Sequence, residues 1–171
     1  KDHLNINLTG SAGQSLGAFA TKGLKINLFG DANDYVAKGL SGATISIRPH
    51  KDSTLISQEN TIAGNTVLYG ATSGELYIAG QAGERFAVRN SGAITVVEGC
   101  GSNGCEYMTG GTVVILGNTG DNFGAGMTGG MAFIYDEDQK FRLRVNPETL
   151  LFDSLQTDYW TNELHQHIVK H

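Results

Sequence analysis

The chain has 171 residues, enough for one domain with a substantial core, and 24 of them are glycine while only two are proline. This glycine content disfavours a helical domain, and the scarcity of proline excludes a collagen-like composition. The net charge of −5 argues against nucleic acid or an anionic membrane as a partner, because both favour a basic surface. No apolar run approaches the roughly 20 residues that span a bilayer, and no secretory signal is evident, so a cytoplasmic protein is expected.

In chain order, the pattern predicts an entry strand over residues 1–9 and two similar units over residues 10–47. The polar run that follows Arg48 predicts a loop or irregular coil, after which a short strand at Thr66–Gly70 restores the pattern. The units are most regular between Gly74 and Tyr135. A turn at 136–138, a last strand at 140–145 and a stop at 146–148 complete the repetitive part.

Each unit opens with a glycine, reaches a second glycine at a nearly constant distance, and then extends as an apolar strand. Such self-similarity at a fixed period is typical of a repeat protein. The second glycines recur at equal intervals at positions 92, 111 and 130, and we expect them to stack in one column. The predicted corner glycines, where positive φ or close backbone approach is needed, are Gly23, Gly42, Gly74, Gly92, Gly111 and Gly130.

The apolar strands alternate with period two, which indicates β-strands rather than helices. Units of about 19 residues that stack in parallel predict an all-β fold, a parallel β-helix with a continuous narrow core. Within it, Val113 and Ile115 should point inward. The expected neighbours in the two adjoining coils are Ile94 and Val96 below, and Ala132 and Ile134 above.

The chain divides into a β-helix domain over residues 1–153 and a short helical tail over residues 154–171. Glycine disappears from the tail, and Leu164 and Ile168 are spaced for one helix face. We expect Leu155, Trp160, Leu164 and Ile168 to pack on the solenoid or on a neighbouring domain or chain. If the tail packs on a neighbouring copy of the chain, the expected assembly is a homo-oligomer.

Several motifs suggest chemistry, and each has a structural interpretation that fits the repeat better. Gly99–Gly104 reads G-x-G-x-x-G after a strand, but a dinucleotide site needs a helix there, and Gly110 comes too soon for one. Met108 and Met127 each begin a Met-Thr-Gly-Gly sequence at equivalent repeat positions. This predicts a stacked structural ladder rather than a cofactor site.

The cysteines and histidines do not assemble a metal site by their sequence spacing. Cys100 and Cys105 are the only cysteines, which excludes a four-cysteine zinc or iron–sulfur site, and we expect reduced, buried thiols. His167 and His171 share a helix face with His165 close by. A solvated tail helix is the favoured interpretation, since no local carboxylate or cysteine completes a site.

The acidic residues raise a second possibility, since some β-helix proteins cleave polysaccharides. Glycoside hydrolysis needs two carboxylates that face each other across a groove. Asp31 and Asp121 fall at repeated corners, where aspartate bonds nearby backbone amides. The candidate acidic residues are Asp31, Asp34, Asp121, Asp136, Glu137 and Asp138.

Several long segments closely resemble the C-terminal domain of the glutamate synthase large subunit, and together they cover nearly the whole chain. They are Leu8-TGSAGQSLGAF, Gly30-DANDYVAKGLSGA, Ala71-TSGELYIAGQAGERFAVRNSGA, Gly104-CEYMTGGTVVILG, Asn122-FGAGMTGGMAFIYDED and Val145-NPE. The resemblance implies a right-handed β-helix. One departure stands at Gly101-Ser102-Asn103-Gly104, where the family is expected to read Gly-Asp-His-Gly.

The resemblance further implies an enzyme that makes glutamate from glutamine, 2-oxoglutarate and an electron donor. Its glutamine-hydrolysing amidotransferase domain, and its synthase domain with FMN and an iron–sulfur cluster, lie elsewhere. This chain is then a non-catalytic module without a cofactor of its own, which positions those domains as partners. The alternatives are a β-helix subunit like that of formylmethanofuran dehydrogenase and a carbohydrate-active β-helix enzyme.

Overall fold

The computed structural model describes residues 3–171, and its eight strands form one parallel sheet in the order β1-β2-β3-β5-β6-β7-β8, with β4 paired to β5. The strands are β1 Leu4–Ser11, β2 Leu24–Asp31, β3 Ser41–Arg48, β4 Thr61–Ala63, β5 Ser73–Ala82, β6 Ser91–Cys100, β7 Thr109–Ile115 and β8 Gly129–Ile134. A 3₁₀ helix follows at Phe141–Leu143 and the helix α1 at Asp158–Lys170. Successive parallel strands give a β-solenoid of about seven turns of roughly 19 residues, which confirms the predicted fold class.

Two inward rows of side chains run through this sheet and form the centre of the core. In each row, residues of neighbouring strands are paired partners, so aliphatic side chains stack from coil to coil. The first row is Ile26, Ile45, Leu76, Thr95, Val113 and Ala132, and the second is Leu28, Ile47, Ile78, Val97, Ile115 and Ile134. The prediction for Val113 and Ile115 is therefore right about their direction and about the coil above.

The prediction was wrong about the coil below, because Thr95 and Val97, rather than Ile94 and Val96, lie under Val113 and Ile115. The register shifts between Ser91 and Ile94, so that strand β6 has one residue more than β7 at this point. Ser91 is paired with Gly110, but Ile94 is paired with Thr112, and the sequence separation between partners thus falls by one along the strand. An extra residue of this kind moves every following side chain to the opposite face.

Six corner segments of five residues connect the coils, and their backbone is unusual. In each segment the first, third and fifth residues all have φ between 54° and 71°. The segments are 15–19, 35–39, 66–70, 85–89, 103–107 and 122–126. Most of these residues are not glycine, although the left-handed conformation costs other residues about 1–2 kcal/mol each.

Hydrogen bonds between coils offset that cost. In the segment 85–89, Arg85 donates its N–H to Ser102 of the next coil, Ala87 donates back to Val67, and Arg89 donates forward to Glu106. The same forward, backward, forward order recurs in the segments 66–70 and 103–107. The N–H groups of the first, third and fifth residues thus point in turn to the next, the preceding and the next coil, and the corner pairs with both adjoining coils.

The irregular stretch in the third coil is an insertion rather than a break in the solenoid. Residues 49–60 contain no strand, as expected. The expected strand at Thr66–Gly70 is wrong, because Thr66 and Leu68 have φ of 59° and 62° and belong to a corner segment. Short apolar runs suit either a strand or a buried corner, and their periodicity does not separate the two.

The last predicted strand, at 140–145, is also wrong. An Asp136 carboxylate oxygen accepts hydrogen bonds from the N–H groups of Lys140 and Phe141, at 3.1 and 3.0 Å. These bonds hold the chain in a turn that leads into the 3₁₀ helix. The Phe141 ring then packs edge-to-face against Phe123, with ring centroids 5.3 Å apart, and covers the C-terminal end of the core.

Within residues 3–171, no helix is both long enough and apolar enough to cross a membrane.

Candidate functional site: the outer face beneath the C-terminal helix

The outer face of the sheet changes from polar to apolar along the solenoid. Its central row runs from coil to coil through Asn7, Asn27, Ser46, Tyr77, Val96, Val114 and Phe133. At the polar end, the Asn27 amide donates to the side-chain oxygens of Asn5 and Asn7, at 3.0 and 2.8 Å, and Ser46 donates to Asn27 at 2.9 Å. At the other end Tyr77, Val96 and Val114 are buried.

Helix α1 covers the apolar end of this row. Thr157 caps the helix by accepting a hydrogen bond from the N–H of Trp160, as N-cap threonines do. Leu164 packs against the cluster of Tyr77, Val96 and Val114, and the Trp160 ring lies 6.2 Å from that of Phe133 in an edge-to-face arrangement. Burial of these side chains is the main favourable term for docking the helix.

Two polar contacts to glutamate side chains fix the other end of the helix. Lys170 Nζ lies 2.9 Å from Glu75 Oε1, and His171 Nε2 lies 2.8 Å from Glu98 Oε1. Burial, together with the neighbouring Glu75 carboxylate, raises the pKa of Tyr77 well above its ordinary range. The phenol is therefore held in its neutral form beneath the helix.

The predicted packing of the tail is correct for two of its four residues. Leu164 and Trp160 contact the outer face of the sheet, whereas Leu155 and Ile168 are 49% and 40% exposed. The tail lies along the side of the solenoid and not over its open end. The sequence did not reveal this location, because the apolar outer row depends on the shifted register of β6.

The interpretation of the tail histidines as solvated is wrong for two of the three. His167 is buried, and His171 pairs with Glu98, while His165 is exposed. A charged partner 73 residues away in sequence leaves no local signal. No group of three or more His, Cys, Asp or Glu side chains between residues 3 and 171 is arranged to hold a metal ion.

The G-x-G-x-x-G motif at 99–104 lies in a coil corner, as predicted. Strand β6 ends at Cys100 and a turn follows at 102–107 instead of a helix, so no helix N-terminus faces a phosphate there. Cys100 and Cys105 are buried free cysteines, also as expected. Burial raises the pKa of the Cys100 thiol to about 12 and that of Cys105 in the same direction, which disfavours the nucleophilic thiolate.

Three of the candidate acidic residues, Asp34, Asp136 and Asp138, accept hydrogen bonds from backbone N–H groups. The Asp34 carboxylate accepts the N–H of Asn65 at 2.8 Å, and the Asn65 side chain accepts that of Glu84 at 2.9 Å. Asp138 pairs with Arg144 at 2.7 Å, and this hydrogen bond lowers the pKa of the Asp138 carboxyl. Asp34 thus joins one coil to the next, and Asp138 holds its own turn.

The departure at Ser102 and Asn103 has a structural use in this chain. The Ser102 hydroxyl accepts the N–H of Asp121 at 3.3 Å, and the Asn103 amide donates to Glu106 at 2.9 Å. Asn103 has φ of 65°, a conformation that asparagine tolerates better than most residues. Both residues therefore stabilise the corner between the fifth and sixth coils.

The predicted corner glycines lie at the beginnings of strands and outside the corner segments. Gly23 precedes β2, and the other five, Gly42, Gly74, Gly92, Gly111 and Gly130, lie at the second or third residue of a strand and do not form one straight column. Gly111 and Gly130 both have φ of 85°. They are level with each other in neighbouring strands, because the residues that follow them, Thr112 and Met131, are paired. Gly92 has no positive φ. It is one residue out of line with Gly111, because Thr112 is paired with Ile94 and Gly111 is therefore level with Ala93. A Cβ at Gly92 would overlap the carbonyl oxygen of Thr72, so close backbone approach, and not φ, requires glycine here.

This chain, with glycine at the beginnings of its strands and a covered outer face, belongs to the GXGXG motif family, which matches residues 1–171. The chain is 62% identical over 169 residues to the glutamate synthase [NADPH] large chain of Azospirillum brasilense. It is 56% identical over 154 residues to the glutamate synthase [NADH] of Schizosaccharomyces pombe. It is 50% identical over 171 residues to the ferredoxin-dependent glutamate synthase of Pyropia yezoensis.

These alignments cover 99%, 90% and 100% of this chain, but only 11%, 7% and 11% of the three relatives. The chain thus spans about a tenth of their length. The similarity to glutamate synthases therefore concerns one domain of much longer proteins.

Proposed function

We propose that this chain is a structural module of a glutamate synthase, in which it holds an amidotransferase domain and an FMN-binding synthase domain in position. The observation that carries the proposal is identity of 62% across nearly the whole chain to about a tenth of a glutamate synthase large chain. The parent enzyme makes glutamate from glutamine, 2-oxoglutarate and an electron donor. Its other domains, in the same chain or as separate subunits, are the partners.

A non-catalytic role is supported by how the reactive side chains are used. The thiols of Cys100 and Cys105 are buried and their pKa values are raised. The carboxylate of Asp34 caps a neighbouring coil, and His171 fastens the tail helix. Each of these groups stabilises the solenoid, so we assign glutamine hydrolysis, FMN and the iron–sulfur cluster to the rest of a cytoplasmic enzyme.

The tail at 154–171 is proposed to belong to the same domain as residues 1–153. Leu164 and Trp160 supply the apolar contact, and Lys170 pairs with Glu75. The relatives named for NADPH, NADH and ferredoxin are 62%, 56% and 50% identical to the chain. We infer that the module does not select the electron donor.

The isolated chain provides the first test. Purified 171-residue protein should be colourless, should not retain FMN and should not release ammonia from glutamine. Stoichiometric flavin, or glutamine hydrolysis above a buffer control, would contradict the proposed division of labour.

A second test uses the complete glutamate synthase that contains this chain. Ile115→Ala should loosen the core by about 2–5 kcal/mol and raise the amount of glutamine hydrolysed per glutamate formed, because the two reacting domains are less well aligned. Thr112→Ala, on the half-buried outer side of the same strand, is the matched control. An unchanged ratio in Ile115→Ala, with the variant shown to be destabilised, would exclude the positioning role.

A further inference from the structure

One ridge of the solenoid is formed by the fifth residues of the six corner segments. Each of the first five donates its N–H to a carbonyl of the next coil, as Phe19 does to Lys38 at 2.7 Å and Tyr107 to Ala125 at 2.9 Å. The fifth residues therefore lie in one line, which we call the corner ridge. Because neighbouring coils are about 4.8 Å apart, Phe19 and Tyr107 are about 19 Å apart along it. Its residues are Phe19, Gly39, Gly70, Arg89, Tyr107 and Gly126.

The backbone of the corner ridge suits glycine at every position. All six residues have φ between 54° and 67°, a conformation that glycine adopts without the steric cost that other residues bear. Three of the six are glycine, but Phe19 and Tyr107 are aromatic residues that are 65% and 56% exposed. Strained residues with exposed side chains of this kind point to a contact made by those side chains.

The next coil holds both aromatic rings in place. A Cβ at Gly39 would overlap the ring of Phe19, and a Cβ at Gly126 would overlap the ring of Tyr107, so each ring lies on the backbone of the following coil. The Arg89 guanidinium lies 5.8 Å from the centre of the Tyr107 ring, a cation–π distance. Side chains that are already fixed lose little conformational entropy on binding, and Tyr and Arg are enriched among the residues that dominate protein interfaces.

The corner ridge is low between the two aromatic rings. Gly70 lies there, and a Cβ at this position would have no atom within 4 Å. An apolar side chain of a partner therefore finds open space over Gly70, with Phe19 on one side and Tyr107 on the other.

The corner ridge carries positive charge, although the whole chain has a net charge of −5. Arg89 lies on it and Lys38 lies beside it, and between residues 3 and 171 neither forms an ion pair with a carboxylate. The nearby Glu106 carboxylate accepts a hydrogen bond from the Asn103 amide at 2.9 Å. Charge complementarity therefore favours a partner that brings its own carboxylates to this surface.

We propose that the corner ridge is the surface through which this module docks on another domain of the glutamate synthase, by a segment with apolar side chains flanked by carboxylates. The apolar side chains lie over Gly70, between Phe19 and Tyr107. The carboxylates pair with Lys38 and Arg89. This inference rests on the proposed structural role, because it names the surface which that role uses.

The test places a photo-crosslinking phenylalanine analogue at position 19 or 107 of the complete glutamate synthase that contains this chain. After irradiation and digestion, mass spectrometry should find both positions joined to a peptide outside these 171 residues that has Asp or Glu beside aliphatic residues. Crosslinks only within the 171 residues, to the same region of a second copy, or to a peptide without carboxylates would overturn the proposal.

Lys38→Glu/Arg89→Glu reverses the charge beside both rings and should reduce the yield of these crosslinks at least threefold. Lys51→Glu/Lys140→Glu is the matched control, since it makes the same change at exposed positions outside the corner segments and should keep the parent yield. Circular dichroism and the melting temperature show whether each variant retains its fold. Equal yields in the parent and both variants would contradict the pairing of Lys38 and Arg89 with carboxylates.

The docking surface and the positioning role are tested separately. If the expected crosslinks form but Ile115→Ala leaves the ratio of glutamine hydrolysed to glutamate formed unchanged, the corner ridge is a docking surface without a positioning role. If that ratio rises but no crosslink reaches another domain, the positioning role stands and the corner ridge does not carry it.

Discussion

At the scale of the residue, Thr95 places an unpaired polar group in the core. It is fully buried in the inward row between Leu76 and Val113, and its hydroxyl has no hydrogen-bond partner. A buried polar group without a partner costs about 1–3 kcal/mol. The hydroxyl therefore weakens the core at the point where the register of β6 shifts.

Thr95→Val should raise the free energy of unfolding by about 1 kcal/mol, because a methyl group of similar size replaces the unpaired hydroxyl. Thermal unfolding should shift upward by about 2–4 °C for a chain of this size. Thr112→Val, in the outward row of β7, should change stability by no more than about 0.5 kcal/mol. Equal shifts in the two variants would contradict the inward assignment of Thr95.

The buried thiols predict a dependence of stability on alkaline pH. Burial raises the pKa of Cys100 to about 12, so the folded thiol stays protonated while the unfolded thiol ionises from its ordinary pKa of about 8.5. Stability from this group is complete below that ordinary pKa and is lost as pH rises toward 12. Cys105 acts in the same direction, and Tyr77 adds to it at higher pH.

Denaturant unfolding of the parent should show that the free energy of unfolding falls as pH rises from about 8 to about 11. Cys100→Ala should be less stable at neutral pH but should show a shallower fall, because one ionising group of the unfolded state is gone. A slope identical to that of the parent would mean that Cys100 is not protected as its burial indicates.

At the scale of the element, the corner segments carry the strain of the fold. Arg85 has φ of 60° and an exposed side chain, while Glu84 next to it is also exposed but has no positive φ. Glycine adopts positive φ without the steric cost, but it loses more conformational freedom on folding. At position 85, glycine would relieve the steric cost of positive φ but add a cost in conformational entropy. At position 84, only the entropy cost applies.

Arg85→Gly should therefore leave the melting temperature unchanged or raise it, whereas Glu84→Gly should lower stability by about 0.5–1 kcal/mol. The two adjacent substitutions remove side chains of comparable exposure, so they isolate the backbone term. A larger loss of stability in Arg85→Gly than in Glu84→Gly would show that the corner does not hold Arg85 in the left-handed conformation.

At the scale of the whole molecule, the tail helix shields the apolar outer face of the last coils from solvent. Without residues 154–171, the buried side chains of Val96 and Val114, together with Phe133, would face solvent. Contiguous exposed apolar surface of this kind promotes association. The tail is therefore expected to protect the solenoid along its side.

Deletion of residues 154–171 should lower the melting temperature and increase binding of a hydrophobic dye, with assemblies larger than those of the parent at low micromolar concentration. Val169→Ala changes an exposed residue of α1 and should behave like the parent. A shortened chain that stays as soluble and heat-stable as the parent would show that the tail covers nothing of importance.

The sequence by itself determined the class of fold, the period and most of the core. Glycine spacing and two-residue alternation are local properties, and they identified Val113 and Ile115 as inward residues beneath Ala132 and Ile134. They also placed Gly99–Gly104 at a corner and the cysteines in the interior. These features follow from steric and hydrophobic preferences that neighbouring residues already display.

Only the tertiary structure decided the phase of β6, the conformation of the corners and the location of the tail. The extra residue near Gly92 is visible only against β7, since register is a relation between two strands. Positive φ at residues such as Arg85 and Ala87 is stabilised by hydrogen bonds to both adjoining coils, which no local preference encodes. His171 likewise finds Glu98 only after the helix has docked, because the chain must fold before residues so far apart can meet.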